Sequence, residues 1–475
     1  MSTRRKFVRL YCTNMRLLAA AIAAACVVPA SADQAAAAAA LISRIVGPRA
    51  AAFNLSLTSS SSPTKADAPD SFSIAAGQCC SITGTNGVAL ASGFNWYLRY
   101  VAKREVSYPL SGEPMLNVSS LPAIWPPVPT ALTQMSVFKW RYYMNVVTHS
   151  YSSAFWDADR WMQEIDWMAL SGVNLPLAFT GQEWAWHRTY TEHFGLTDDD
   201  LNQHFVGPAF LAWGRMGNLR GWGGQYDAAP SIKGLTLHWM EQQRDLQRLI
   251  LARERSLGMH TVLTAFAGHV PVALKARHPS ANVSQSPGWC GFNARNSHVP
   301  LLQASDPLFK QIGAAFVRVQ QEEFGFDPDG VQHFNGDNFN EMQPSSNDPA
   351  FLAAWGDAMY APLLEGAGSG AVWFVQGWSL GHWSDDALSA YWSRVPAGKL
   401  LNLDLNCAMS AGSFTKYTSQ VTPKRETICG LLEDMGGRRS ISGDLGTLSH
   451  QSIDNANSSA LLNGLGWNPE DLHCT

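Results

Sequence analysis

Beyond about residue 136, short apolar runs alternate with stretches whose apolar residues recur every three or four positions. The runs are Tyr142–Thr148, Asn174–Phe179, Thr261–Phe266, Val331–Asn335, Ala371–Gln376, Leu400–Leu405, Ile428–Leu432 and, most weakly, Leu461–Leu465. Their length predicts strands. Between the first two, Ala158, Trp161, Met162, Ile165, Met168 and Ala169 keep helical spacing. Asp157, Asp159, Glu164 and Asp166 fall on its other face and read as solvated charges near a helix N-terminus. A second helix is expected over Leu308–Phe324. Strands alternating with helices imply a parallel sheet with both faces covered. Eight such units would close a (β/α)8 TIM-type barrel, an α/β fold.

The chain ahead of the barrel reads differently. Ala35–Val46 favours a helix ended by Gly47-Pro48, and residues 57–70 are rich in Ser, Thr, Pro and Asp, which makes a loop. Phe72–Ile74 and Ser81–Thr83 alternate as short strands, and Val88–Val101 forms an amphipathic helix. Pro122, Pro126, Pro127 and Pro129 then make a linker. A small α+β domain over residues 33–136 and a barrel over 137–475 follow.

Residues 1–32 have the layout of a secretory signal. Arg4, Arg5, Lys6, Arg9 and Arg16 precede the apolar Leu17–Pro29, and Ala30-Ser31-Ala32 supplies a small-residue cleavage site. The apolar run is too short to span a bilayer, and no later stretch is long enough. Cys79, Cys80, Cys290, Cys407, Cys429 and Cys474 would remain after cleavage, on a route that permits disulfides whose pairing sequence does not specify. Sequons at Asn54, Asn117, Asn282 and Asn457 agree with a secreted or lysosomal glycoprotein.

A net charge of −4 excludes a phosphate-backbone binder, so no nucleic-acid partner is expected. No H-E-x-x-H motif or close His/Cys cluster points to a metal, and the glycines at 366, 368 and 370 precede a strand where a dinucleotide loop must follow one. No cofactor is expected. The 18 tryptophans can fill cores or pack on the C–H faces of sugars.

In a barrel, reactive groups sit where strands end. The residues placed there include Thr148, His149, Tyr151, Glu183, His269, Asp337-Asn338-Phe339-Asn340-Glu341, Gln376, Trp378 and Glu470. Carboxyls among amides and tryptophans suit glycosidic cleavage, which needs one group to protonate the leaving oxygen and a second at the anomeric carbon or on water. Glu341, beside an amide, is the leading acid. Glu183 is the runner-up, with a structural acceptor as its simpler role.

Arg141–Tyr190 resembles the α-N-acetylglucosaminidase family, as do Gly207–Asn218, Leu263–Pro271, Phe339–Pro344, Gln376–Trp378 and the N-terminal ALISRIVGP and GFNWYLRYV. The resemblance covers roughly residues 38–435. It implies an exo-glycosidase that removes terminal α-linked N-acetylglucosamine from heparan-sulfate-type glycans with retention, through two glutamates. It places the acid/base on Glu341, the nucleophile on Glu470, and the sugar pocket on Asn145, Tyr151, Trp213, Met216, Trp289, Asn340 and Trp378. Two departures stand out. Asp471-Leu472 replaces the family's Gly-Ile after Glu470, and Leu432–Arg438 replaces a His-Asn-Phe-Gly-Gly-Asn run. The family's C-terminal helical domain has no counterpart in this sequence, so the chain as written is expected to be weakly active or inactive. A different α-hexosaminidase, or a non-catalytic glycan binder, are the alternative readings.

Overall fold

The computed structural model describes residues 34–58, 69–77, 80–110, 113–136, 138–202, 204–205, 212–219, 235–377, 380, 383–404, 426–429 and 448–450. The first part is a four-stranded sheet in the order β1-β3-β2-β4. β1 (Phe53–Leu57) runs parallel to β3 (Cys80–Gly84), and β2 (Ser71–Ile74) lies antiparallel to both β3 and β4 (Leu132–Met135). Helices Gln34–Val46 and Gly87–Tyr100 pack together beside this sheet. Asn86 starts the second, its side chain accepting from the Ala89 N–H at 2.8 Å, which satisfies one orphan amide of the first turn. Phe53 meets the rings of Phe94, Tyr97 and Trp125 edge-on at 4.9, 5.4 and 5.3 Å.

The second part is built of parallel strands in chain order. β5 (Tyr142–Tyr143) pairs with β6 (Leu175–Pro176), and a bridge from Leu177 to Val262 carries the sheet on to β7 (Val262–Thr264). The ribbon β8 (Val283–Gln285) and β9 (Pro300–Leu302) is antiparallel and stands apart from this sheet. The sheet resumes with β10 (Gln332–Asn335), β11 (Ala371–Gln376), β12 (Leu400–Asp404) and β13 (Glu426–Cys429), each parallel to its predecessor. β14 (Leu448–His450) adds antiparallel to β13. This is the strand succession of a (β/α) barrel. Among the described residues, no pairing joins β5 to the far edge.

Helices Ala158–Leu170, Leu237–Ser256, Pro307–Phe324, Pro349–Ala367 and Asp385–Trp392 lie between the strands. Asp157, Thr236, Asp306, Asp348 and Ser384 cap them with side-chain acceptors, and proline at the first turn of two of them costs no helical bond. Pro362 lies inside Pro349–Ala367, where a β-carbon on Gly313 would come within 2.7 Å of its Cβ. The missing side chain at Gly313 lets helices Pro307–Phe324 and Pro349–Ala367 approach closely.

Several expectations need correction. Tyr142–Thr148 and Asn174–Phe179 yield only two-residue strands, because Thr148–Ser150 turns into a 3-10 helix and the chain leaves β6 after Pro176. Leu461–Leu465 lies outside the described residues. Glu164 and Asp166 are buried rather than solvated. Helices Gln34–Val46 and Leu237–Ser256 bring Arg44 and Arg253 to Asp166, and Gly87–Tyr100 packs against Ala158–Leu170. Glu164 accepts from the Tyr143 and Tyr108 hydroxyls at 2.9 and 3.2 Å and pairs with Arg160 at 2.8 Å, and Asp166 accepts two bonds from Arg44. Burial pushes the Glu164 carboxyl above the usual range. No described helix is long and apolar enough to cross a membrane.

Candidate active site

β10 ends at Asn335, and the next six residues form a loop pinned at nearly every position. Asp337 accepts from the Gln376 N–H at 2.9 Å and from the Asn335 amide at 3.2 Å, tying the end of β10 to the end of β11. Asn338 donates to the Ala267 carbonyl at 2.9 Å and accepts from the Tyr391 hydroxyl at 2.6 Å. Phe339 packs edge-on against Trp355 at 5.0 Å. Asn340 and Asn218 exchange bonds: the Asn340 amide donates to the Asn218 Oδ1 at 3.0 Å, and the Asn218 amide donates to the Asn340 carbonyl at 2.8 Å. Enclosure raises the Asp337 pKa to about 7, since a carboxylate there has little water to solvate it.

Glu341 follows at φ +54°, in the left-handed region that few non-glycine residues occupy. The bonds around it hold this strained backbone in place. Its Oε2 accepts from the Trp289 indole N–H at 2.9 Å. Trp289 in turn lies against Trp213, with ring centroids 4.7 Å apart, and the Trp213 indole donates to the Tyr151 hydroxyl at 2.7 Å. A continuous chain of contacts therefore runs Tyr151, Trp213, Trp289, Glu341, drawing on loops after β5 and β10 and on the segments 212–219 and 286–299.

Met216 shares the helical turn of Trp213, its N–H bonding the Ala212 carbonyl at 2.9 Å. Asn145 sits just past β5, where its Oδ1 accepts from the Val147 N–H at 3.1 Å and shapes the turn leading to Tyr151. Trp378 and Glu470 lie outside the described residues. Glu183 takes its simpler role: buried at the start of Gln182–Arg188, it accepts from Arg215 at 2.7 Å and anchors the segment that carries Trp213. Arg215 also reaches Ser150 Oγ at 3.3 Å. Buried His149, beside Arg215, has its pKa lowered to about 3 by burial and that positive neighbour, so its ring is neutral. His269 is likewise held neutral by burial, at about 4.

Sequence reasoning missed Asn218 and passed over Asp337 as a site residue. A lone buried amide carries no pattern, and the only signal for Asn218 was its place at the end of GPAFLAWGRMGN. Among the described residues, no group of three or more His, Cys, Asp or Glu could hold a metal ion.

Two family profiles match the chain: the alpha-N-acetylglucosaminidase (NAGLU) tim-barrel domain over residues 141–474 and the corresponding N-terminal domain over residues 36–126. The chain belongs to the α-N-acetylglucosaminidase family. Human alpha-N-acetylglucosaminidase is 40% identical over 413 residues, 86% of this chain and 52% of the human protein. A family 89 glycoside hydrolase from Clostridium perfringens in complex with PUGNAc superposes with a TM-score of 0.67 at 28% identity, covering 80% of this chain and 40% of that one. A double glutamate-to-glutamine form of that clostridial protein, in complex with its substrate GlcNAc-alpha-1,4-galactose, gives 0.65 at 27% identity over 78% and 39%. The chain thus spans about half the length of its human relative. In this barrel of the family's type, Glu341 stands in the loop at the carboxyl end of β10, the rim on which barrel enzymes carry their chemistry.

Proposed function

We propose that this protein removes terminal α-linked N-acetylglucosamine from glycans by a retaining mechanism, with Glu341 as acid/base and Glu470 as nucleophile. The observation that carries the reading is the tryptophan-held Glu341, with Tyr151, Trp213 and Trp289 linked to it by direct contacts. Family membership supports the substrate class, as does the α-linked GlcNAc disaccharide bound by the clostridial relative. Heparan-sulfate-type chains are the proposed natural source of that terminus.

Stereochemistry dictates the division of labour. In an α-linked N-acetylglucosaminide, the 2-acetamido group lies on the same face as the leaving group and cannot attack from behind. A carboxylate must do so, and Glu470 fills that role. The Glu341 carboxyl donates its proton to the glycosidic oxygen as the C–O bond breaks and the Glu470 carboxylate bonds C1. Glu341, now ionised, then takes a proton from water, which displaces Glu470 and restores the α configuration. The Trp289 N–H fixes the carboxyl's direction in both steps. Asn145, Met216, Asn340 and Trp378 complete the proposed sugar pocket. The barrel is taken to occupy residues 137–475, after a signal peptide over 1–32. Exposed sequon asparagines at 54, 117 and 282 suit a glycosylated enzyme of the secretory route, secreted or lysosomal.

The test compares wild type with Glu341→Gln on an α-N-acetylglucosaminyl fluoride and on an alkyl glycoside. Loss of general-acid help should cost roughly 10²–10⁴-fold on the alkyl glycoside. The fluoride, whose leaving group needs little protonation, should lose far less in the first step. Equal losses would remove Glu341 from the acid role. Sugar binding without turnover of either substrate by wild type would favour a non-catalytic glycan binder.

A further inference from the structure

The stack against Glu341 does not end at Trp289. Phe292 lies face to face on it, with ring centroids 5.4 Å apart and planes 5° from parallel. Along the series Trp213, Trp289, Phe292, exposure rises at the outer end: Trp289 is buried at 7%, whereas Phe292 is 45% exposed. Phe292 is therefore an aromatic ring with one face pressed on the acid's own hydrogen-bond donor and much of the rest in water. Its backbone is held as well. The Phe292 N–H bonds the Trp289 carbonyl at 2.9 Å, the Ser297 hydroxyl donates to the Phe292 carbonyl at 3.2 Å, and Asn293 caps the following turn through the Arg295 N–H at 2.9 Å. Buried Ser297 anchors that turn. An exposed phenylalanine held rigid in this way loses little conformational entropy when something stacks on it.

Its position relative to the chemistry gives it a role. A general acid addresses the glycosidic oxygen, the atom between the terminal sugar and the next residue of the glycan. Trp289 donates to that acid and touches two further rings. One is Trp213, bonded to Tyr151 within the proposed terminal-sugar pocket, and the other is Phe292 at the surface. We infer that Phe292 is the platform for the sugar on the leaving-group side, packing its π-face against the C–H face of the pyranose next to the scissile bond. The inference rests on the proposed terminal-sugar pocket and adds a specificity-determining residue to it. Such a platform reads ring shape rather than hydroxyl pattern, so it would favour glycans over small aglycones without demanding one particular neighbour. Stacking of this kind amounts to about three- to tenfold in affinity.

Binding of two probes separates this role from the pocket itself. In the full chain carrying Glu341→Gln, which keeps an oxygen for Trp289 and slows turnover, N-acetylglucosamine and GlcNAc-α-1,4-galactose are titrated against intrinsic tryptophan fluorescence. The disaccharide should bind more tightly than the monosaccharide. Adding Phe292→Ala should erase about three- to tenfold of the disaccharide's affinity and leave the monosaccharide within twofold, and Phe292→Tyr should restore the gap. Equal weakening of both sugars would mean that Phe292 only props Trp289, which overturns the inference. So would a disaccharide advantage that Phe292→Ala leaves intact, or no advantage in the first place while the monosaccharide still binds. Failure of both sugars to bind would bring down the pocket and the platform together.

Discussion

Gly217→Ala should damage both stability and the site. Gly217 has φ +72°, and a β-carbon there would fall 2.0 Å from His269 Nε2 and 2.1 Å from both neighbouring ring carbons. The obstacle is a buried imidazole rather than the end of a flexible chain. Two costs add. A left-handed backbone costs an L-residue about 1–2 kcal/mol. Forcing a methyl into a packed contact costs about 1–3 kcal/mol. The sum is roughly 2–5 kcal/mol, a large part of the margin of an ordinary domain. The strain also enters next to Asn218, whose amide holds Asn340 and through it the Glu341 backbone. Guanidinium unfolding followed by tryptophan fluorescence measures the first effect, and affinity for N-acetylglucosamine measures the second. Combining Gly217→Ala with His269→Ala should recover the packing share, about 1–3 kcal/mol, and leave the backbone share. A single variant as stable as wild type, or a second substitution that rescues nothing, would refute the reasoning.

Three further outcomes are expected. Trp289→Phe keeps the stack on Trp213 and Phe292 but deletes the N–H that reaches Glu341; a hydrogen bond to a charged group is worth ~1.5–3 kcal/mol, so hydrolysis of an alkyl glycoside should fall about tenfold or more. Fluoride hydrolysis should fall less, and an equal fall would show that the N–H does not serve the acid. Asp337, raised to about 7 by enclosure, binds its proton more tightly folded than unfolded, so it makes stability decline as pH rises from about 4 to about 7 and level off above. Asp337→Asn should flatten that part of the pH profile, and unfolding curves that stay parallel to wild type across this range would count against it. Asp70 joins the N-terminal sheet to the barrel through Arg141, with Asn86 and Asn174 as further donors at 2.6 and 3.2 Å. Asp70→Ala should cost on the order of 3 kcal/mol and speed proteolysis between the two parts, since a half-buried guanidinium loses its counter-charge; an unchanged digestion rate would rule out the clamp.

Local signals carried the elements far. Gln34–Val46, Gly87–Tyr100, Ala158–Leu170 and Pro307–Phe324 form close to where helix propensity and apolar spacing put them, because both act within a few residues. Runs of apolar residues marked β7, β10, β11 and β12, since a parallel strand covered on both faces has no polar side to show. The proposal for Glu341 came from its place after such a run, and the proposed pocket residues came from resemblance. Tertiary structure alone decided the rest. Glu164 and Asp166 look like surface charges in sequence, and only the packing of helix Gln34–Val46 and strand β5 around their helix turns them into buried partners of arginines and tyrosines. The Asn218–Asn340 pair joins residues 122 positions apart, and the Trp213–Trp289–Phe292 stack joins separate loops. Helical and strand periodicities describe neighbours along one element, whereas these contacts form between loops whose relative position depends on how the whole barrel sheet is assembled.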